Sequence, residues 1–245
     1  MDSGYYAACT GLLAKEDALE LAANNLANTS TNGYKAQMEF YRSLTASLSG
    51  RPLSPLNQAV NGYGVLGGAT LDLRTGEFEK TGNELDLALE GSGFFVVQTP
   101  AGVRYTRNGS FHADASGRLV TSTGDPVLGE EGPVDLPSGT LSISSDGTIS
   151  QQGAVVARLK IVTFAPATSL VPEGNSLYQA PQGAELPVDD PRLAQGSLES
   201  SNLNPVAGAV SLVALQRHAQ LLEQALRIFH STINSAAVQQ LPSVT

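Results

Sequence analysis

Towards the C-terminus, the apolar side chains keep a heptad spacing that a lone helix cannot satisfy in water. Leu212, Leu215, Ala219, Leu222, Leu226, Phe229, Ile233 and Ala236 follow at alternating steps of three and four, and Gln240 extends the register. Asn204-Pro205 supplies an N-cap and first-turn pair, so the spacing predicts a helix over 204–241. Its other side reads Gln216, Gln220, Gln224, Ser231 and Ser235. Each large seam side chain removed from water contributes about 1.5–3 kcal/mol, so the stripe demands a partner.

The N-terminal end repeats the theme. Tyr5, Ala8, Leu12, Leu19, Ala22 and Leu26 form one seam, with Lys15 in the discordant slot. It stops at Asn28-Thr29-Ser30-Thr31-Asn32-Gly33, residues that favour caps and turns, with Gly33 suited to a positive backbone angle. Tyr41, Leu44 and Leu48 predict a second, shorter amphipathic helix. Arg51-Pro52-Leu53-Ser54-Pro55 then marks a linker over 49–61.

Between these ends the period changes from helical to two. Leu85, Leu87 and Leu89 alternate with Asp86, Ala88 and Glu90, as in a strand with one wet face. Glycines then recur, several in turn pairs: Asn108-Gly109, Ser116-Gly117 and Asp146-Gly147. Strands are predicted at 94–98, 103–106, 118–121, 126–128, 141–143, 148–150 and 155–164. The expected fold is α+β, with coiled-coil-like N- and C-terminal helices flanking a central all-β domain of short hairpins. The regions are 1–48, the linker 49–61, the β-rich 62–195 and 196–245. The two helices can satisfy their stripes against each other or against other molecules, and the spacing alone leaves both open.

The 245-residue chain carries a formal net charge of −9. That excess excludes a general nucleic-acid binder, which needs cations to neutralise phosphates. No run approaches the ~18 apolar residues of a membrane span, so no membrane insertion is expected. Met1-Asp2-Ser3-Gly4-Tyr5-Tyr6 lacks the basic start of a cleavable secretion signal, so transport out of the cytoplasm would need another route. The single cysteine, Cys9, permits no intramolecular disulfide and reads as a small buried side chain.

Gly62-Tyr63-Gly64-Val65-Leu66-Gly67 matches a dinucleotide-loop pattern, but a linker precedes it and the strand-like Ala69–Leu73 follows, so the glycines instead shape the start of the β body. His112, His218 and His230 have no metal-ligand spacing. No nucleophile elbow occurs, and the carboxylates alternate with glycine turns rather than facing one cleft. No catalytic, cofactor or metal site is expected.

Several stretches resemble the axial proteins of the bacterial flagellum, the rod and hook family. They are Asn24-Asn25-Leu26-Ala27-Asn28-Thr29-Ser30-Thr31-Asn32-Gly33-Tyr34-Lys35, the run from Leu85 to Val97, Tyr105 to Phe111, Gly117 to Val120, Ser145 to Ser150 and Leu198 to Leu203. Together they span nearly the whole chain. A single β body at this length looks like a proximal or distal rod subunit. Met1-Asp2 and the stretch from Asp125 to Val134 lean towards the proximal one. Gln216-Arg217-His218-Ala219-Gln220 departs from the family's usual Arg–aromatic–Glu pattern.

The resemblance implies a non-enzymatic subunit of the basal-body rod, exported from the cytoplasm by the flagellar type III apparatus into a rod that crosses the periplasm. Its partners would be copies of itself and other axial rod and hook proteins, held in a helical tube that transmits torque. The expected assembly interface is Leu12, Leu19, Leu26, Leu215, Leu222, Leu226, Phe229 and Ile233, with Asn25, Asn28 and Gly33 shaping the turn after the first helix. The rivals are a distal-rod or hook-type subunit and, further off, a flagellum-associated peptidoglycan hydrolase.

Overall fold

The computed structural model describes residues 2–42, 65–166, 168–188 and 190–240. It has a central all-β domain of short antiparallel strands with a helix at each end, Asp2–Ala27 and Pro205–Gln240. The chain divides into two compact units. One comprises Met1–Leu26, Gln37–Thr70 and Pro205–Thr245; the other comprises Ala27–Ala36 and Leu71–Asn204.

In the β unit, a six-stranded antiparallel sheet runs in the order Val171–Gly174, Leu177–Gln179, Gly102–Thr106, Phe94–Thr99, Ile161–Phe164 and Glu185–Pro187. Its centre is the apolar run Phe94-Phe95-Val96-Val97, buried on both faces. The period of two sends Phe95 and Val97 into the larger core beside Leu87, Leu119, Val127 and Ile149. Phe94 and Val96 face the other way, onto Tyr105, Val162 and Tyr178. Phe95 meets Phe111 edge-on with ring centroids 5.1 Å apart, a favoured aromatic geometry.

Smaller ladders surround this sheet. Leu87–Glu90 pairs with Arg192–Gln195, and Phe78–Lys80 pairs with Ser197–Glu199. Ser116-Gly117 and Asp146-Gly147 close the hairpins 111–121 and 142–151. Asn108-Gly109 does not close one, because the flanking strands pair elsewhere. Gly109 is instead held where a Cβ would collide with the backbone of Leu87.

Two other expectations change. Leu87, Ala88 and Leu89 are all buried, as is Asp86, which accepts hydrogen bonds from Thr81 Oγ1 at 2.6 Å and Asn83 Nδ2 at 3.1 Å. The strand therefore has no wet face before Glu90; small Ala88 and a satisfied carboxylate occupy the side expected to meet water. The second amphipathic helix is not formed where the structure describes it. Gln37–Arg42, which includes Tyr41, is a strand paired with Val65–Leu71. Asn25 takes both backbone groups of Gln37, donating to its carbonyl at 2.7 Å and accepting from its amide at 2.9 Å, which leaves none for a helix. Leu44, Leu48, the linker 49–61 and Gly62-Tyr63-Gly64 lie outside the described residues.

Candidate anchoring site

The N-terminal helix ends at Ala27, and the chain turns at once. Thr31 donates its amide to the Asn28 carbonyl at 3.1 Å and its hydroxyl to Asn28 Oδ1 at 3.2 Å. Gly33 then takes a positive φ of 65°, as its place in the turn run predicts. A side chain there would be strained and would also collide with the backbone of Arg107 and Asn108.

From this turn, residues 32–36 are laced into the β unit. Asn32 O accepts from Ser176 Oγ at 3.4 Å, and Gly33 N donates to Glu199 O at 2.6 Å. Tyr34 O accepts from Asn202 N at 3.4 Å, and Lys35 N donates to the Tyr178 hydroxyl at 3.1 Å. Ala36 N donates to Asn202 Oδ1 at 2.9 Å, while its carbonyl accepts from Asp72 N at 2.8 Å. Asn202 Nδ2 closes the ring onto the carbonyls of Asp72 and Arg74. Thus three stretches flanking the chain's passages between its two units, 27–36, 71–76 and 197–204, are bonded together inside one of them.

Beneath this lacing lies a dry ionic cluster. Lys35 Nζ donates to Glu199 Oε1 at 2.6 Å and to the Arg74 carbonyl at 2.7 Å. Glu199 Oε1 also accepts from Gly76 N at 2.9 Å, and Oε2 lies 3.7 Å from Arg107 Nε. Side-chain exposure is 0% for Lys35 and Glu199 and 2% for Arg107. Arg107 donates further to the carbonyls of Leu89 and Gly91 and lies over the Phe94 ring. Two cations thus share one carboxylate. Burial pulls the Lys35 ammonium below its usual range against the pull of Glu199, and burial also lowers the Arg107 guanidinium. Burial raises the Tyr178 phenol.

The cluster is closed to solvent, so it positions backbone rather than reacting with a substrate. A buried ion pair adds little net stability over apolar packing but fixes one arrangement, because any other leaves an uncompensated charge. Among the described residues, no group of three or more His, Cys, Asp and Glu is placed to hold a metal, and no helix is long and apolar enough to cross a membrane.

The sequence-nominated residues divide. Gly33 and Asn28 form the turn, while Asn25 acts on Gln37. Leu12, Leu19, Leu26, Leu215, Leu222 and Leu226 are half-buried, beside buried Ala14, Ala18 and Ala219; the side chains of Phe229 and Ile233 lie outside the described residues. Lys35, Arg107, Glu199 and Asn202 are not among the nominated residues. Their signal was present, since each lies inside one of the stretches that carry the resemblance, and the fold brings three such stretches to one place.

Residues 88–157 match the family described as Flagellar hook protein FlgE/F/G D1 domain. A flagellar basal-body rod protein FlgF from Caulobacter vibrioides is 32% identical over the full length of both chains. The FlgF of Salmonella typhimurium is likewise 32% identical over all of both. This chain belongs to the flagellar basal-body rod proteins. A rod protein FlgG from Buchnera aphidicola subsp. Acyrthosiphon pisum is 33% identical over 85% of this chain and 88% of its own. As a rod protein it is a structural component of the flagellar basal body and not an enzyme. The anchoring site is accordingly part of a building block, and its chemistry serves position.

Proposed function

We propose that this rod protein is built into the shaft through its two terminal helices, which pair in coiled-coil fashion and join copies of the chain and sister axial proteins into a helical tube that carries torque. The observation that carries this reading is the state of the heptad seam. Leu215, Leu222 and Leu226 remain only half-buried in the single chain, so docking against neighbours would remove further apolar surface from water. Heterologous contacts that do not close into a ring generate a filament, as a shaft requires. The anchoring site supports the same reading, because it binds the stretches next to both helices, 27–36 and 197–204, to one another inside the β unit. Delivery would run through the flagellar type III export apparatus.

Among rod proteins, the alignment favours those named FlgF. Relatives so named match over 89% to 100% of this chain, whereas the named FlgG relatives align over 85% or 86% of it. This supports a place in the proximal rod. The test is Leu226→Asp, which buries a charge in the seam. It is expected to leave the β unit folded and to abolish incorporation into basal bodies; normal rods containing the variant would overturn the proposal.

A further inference from the structure

Three asparagines in the chain are followed by glycine: Asn32, Asn61 and Asn108. Such a pair can react with itself. Glycine has no Cβ to hold its backbone nitrogen away from the preceding side chain, so that nitrogen can reach the Asn Cγ. Asn61-Gly62 lies outside the described residues, and the fold guards the other two pairs differently.

Asn108-Gly109 is guarded by the β unit itself. Gly109 is buried, its carbonyl accepts from the amides of Leu87 and Phe111 at 3.0 Å, and Asn108 Oδ1 accepts from Ser110 N at 3.0 Å. Asn32-Gly33 is guarded by docking of the anchor. Gly33 N donates to Glu199 O at 2.6 Å, and Asn32 O accepts from Ser176 Oγ at 3.4 Å. Gly33 is also buried against the Arg107–Asn108 backbone. Each of these partners belongs to a distant part of the chain. A segment 27–36 that lifts away from the β unit therefore releases the Gly33 nitrogen.

We propose that Asn32 is a self-modification site whose reaction is held off by the docked anchor. In the undocked segment the Gly33 nitrogen gives up its proton and bonds to Asn32 Cγ. The Cγ–Nδ2 bond breaks, and ammonia leaves carrying that proton. Water then opens the cyclic imide at either carbonyl, giving an aspartate at position 32 or the isomer whose main chain runs through Cβ. That isomer lengthens the backbone by one carbon. Gly33 then cannot keep both its bond to Glu199 O and its place against Arg107 and Asn108, where even an added methyl collides. A chain left undocked thus marks itself as unable to dock.

The test uses the full chain, held at mildly alkaline pH in isotope-labelled water with graded urea, then mapped by peptide mass spectrometry. Each conversion adds one labelled solvent oxygen, which separates it from earlier damage. Local opening precedes global unfolding, so Asn32 should convert at lower urea than Asn108. The two sites rising together at every urea concentration would overturn the proposal, as would native-state conversion of Asn32 at its fully denatured rate. Without urea, Asn202→Ala should speed Asn32 by about tenfold and leave Asn108 unchanged. An unchanged Asn32 in that variant, still folded, counts equally against it; if the variant unfolds, Asn108 converts too and the wild-type series decides. Chains carrying the isomer should, once urea is removed, keep fast hydrogen exchange at the Ala36 amide. Recovered protection there would refute the one-way mark.

Discussion

Lys35 and Glu199, 164 positions apart in the chain, meet with Nζ 2.6 Å from Oε1 where no solvent reaches either side chain. The pair joins the segment after the first helix to the strand before the last. With Arg107 as second cation, the two partners are not equivalent. Glu199→Gln leaves Lys35 and Arg107 as buried charges without a counter-ion, at a cost of about 3–5 kcal/mol. Lys35→Met leaves Glu199 still facing Arg107 and should cost less. Urea denaturation followed by tyrosine fluorescence, in a chain that has no Trp, would rank them. Equal losses would mean that Arg107 does not compensate Glu199.

Gly33→Ala tests the turn that delivers Lys35. The substitution adds a methyl at φ 65° and drives it into the Arg107–Asn108 backbone, which cannot yield as a flexible side chain would. A loss on the order of 3 kcal/mol is expected, from backbone strain plus the collision. Gly91→Ala is the control: its φ is 90°, but nothing lies within 4 Å of an added Cβ. That variant should lose only about 1 kcal/mol. If the two variants melt together, the close approach at Gly33 carries no weight.

Much of the fold could be read from local pattern. Phe94-Phe95-Val96-Val97 announces a strand buried on both faces, and the C-terminal heptads set a helix close to its observed bounds. Pattern failed where a side chain takes over a backbone's hydrogen bonds. Asn25 holds Gln37 extended, so three apolar residues at helical spacing could not decide residues 37–42. It failed again at the ionic cluster. Lys35, Arg107 and Glu199 look like surface charges one at a time, and only the tertiary fold removes them from water. The resemblance marked the stretches that hold them without saying what they do there.

Acid should loosen the β unit through carboxyls held ionised there, Asp72 and Glu185 among them. Hydrogen bonds from Arg74 hold Asp72 below its usual 3.8. The Tyr105 hydroxyl, and then Lys160, hold Glu185 below its usual 4.5. Both values are lower folded than unfolded, so the unfolded chain takes up protons first as pH falls. Their contribution is complete above the unfolded values and is lost as pH drops through the folded ones. The melting temperature should therefore stay level from pH 7 to about 5.5 and decline below roughly 4.5. Asp72→Asn should remove part of that acid slope. A decline that begins above pH 6 would point to other groups.

Asn202→Ala removes the side chain that ties three passing stretches of chain together. Its oxygen satisfies the Ala36 amide, and its nitrogen serves the carbonyls of Asp72 and Arg74 at 2.7 and 3.1 Å. Ala36 is 6% exposed, so water cannot readily replace the lost acceptor. An unsatisfied buried amide costs about 1–3 kcal/mol, and that is the loss expected here. The effect should also be local. Hydrogen exchange at the Ala36 amide should quicken far more than at core amides of Phe95 or Val97, because a stretch tethering the first helix has opened while the sheet holds. Uniform quickening across the β unit would show instead that Asn202 supports the whole body and is not a tie at the chain's points of passage.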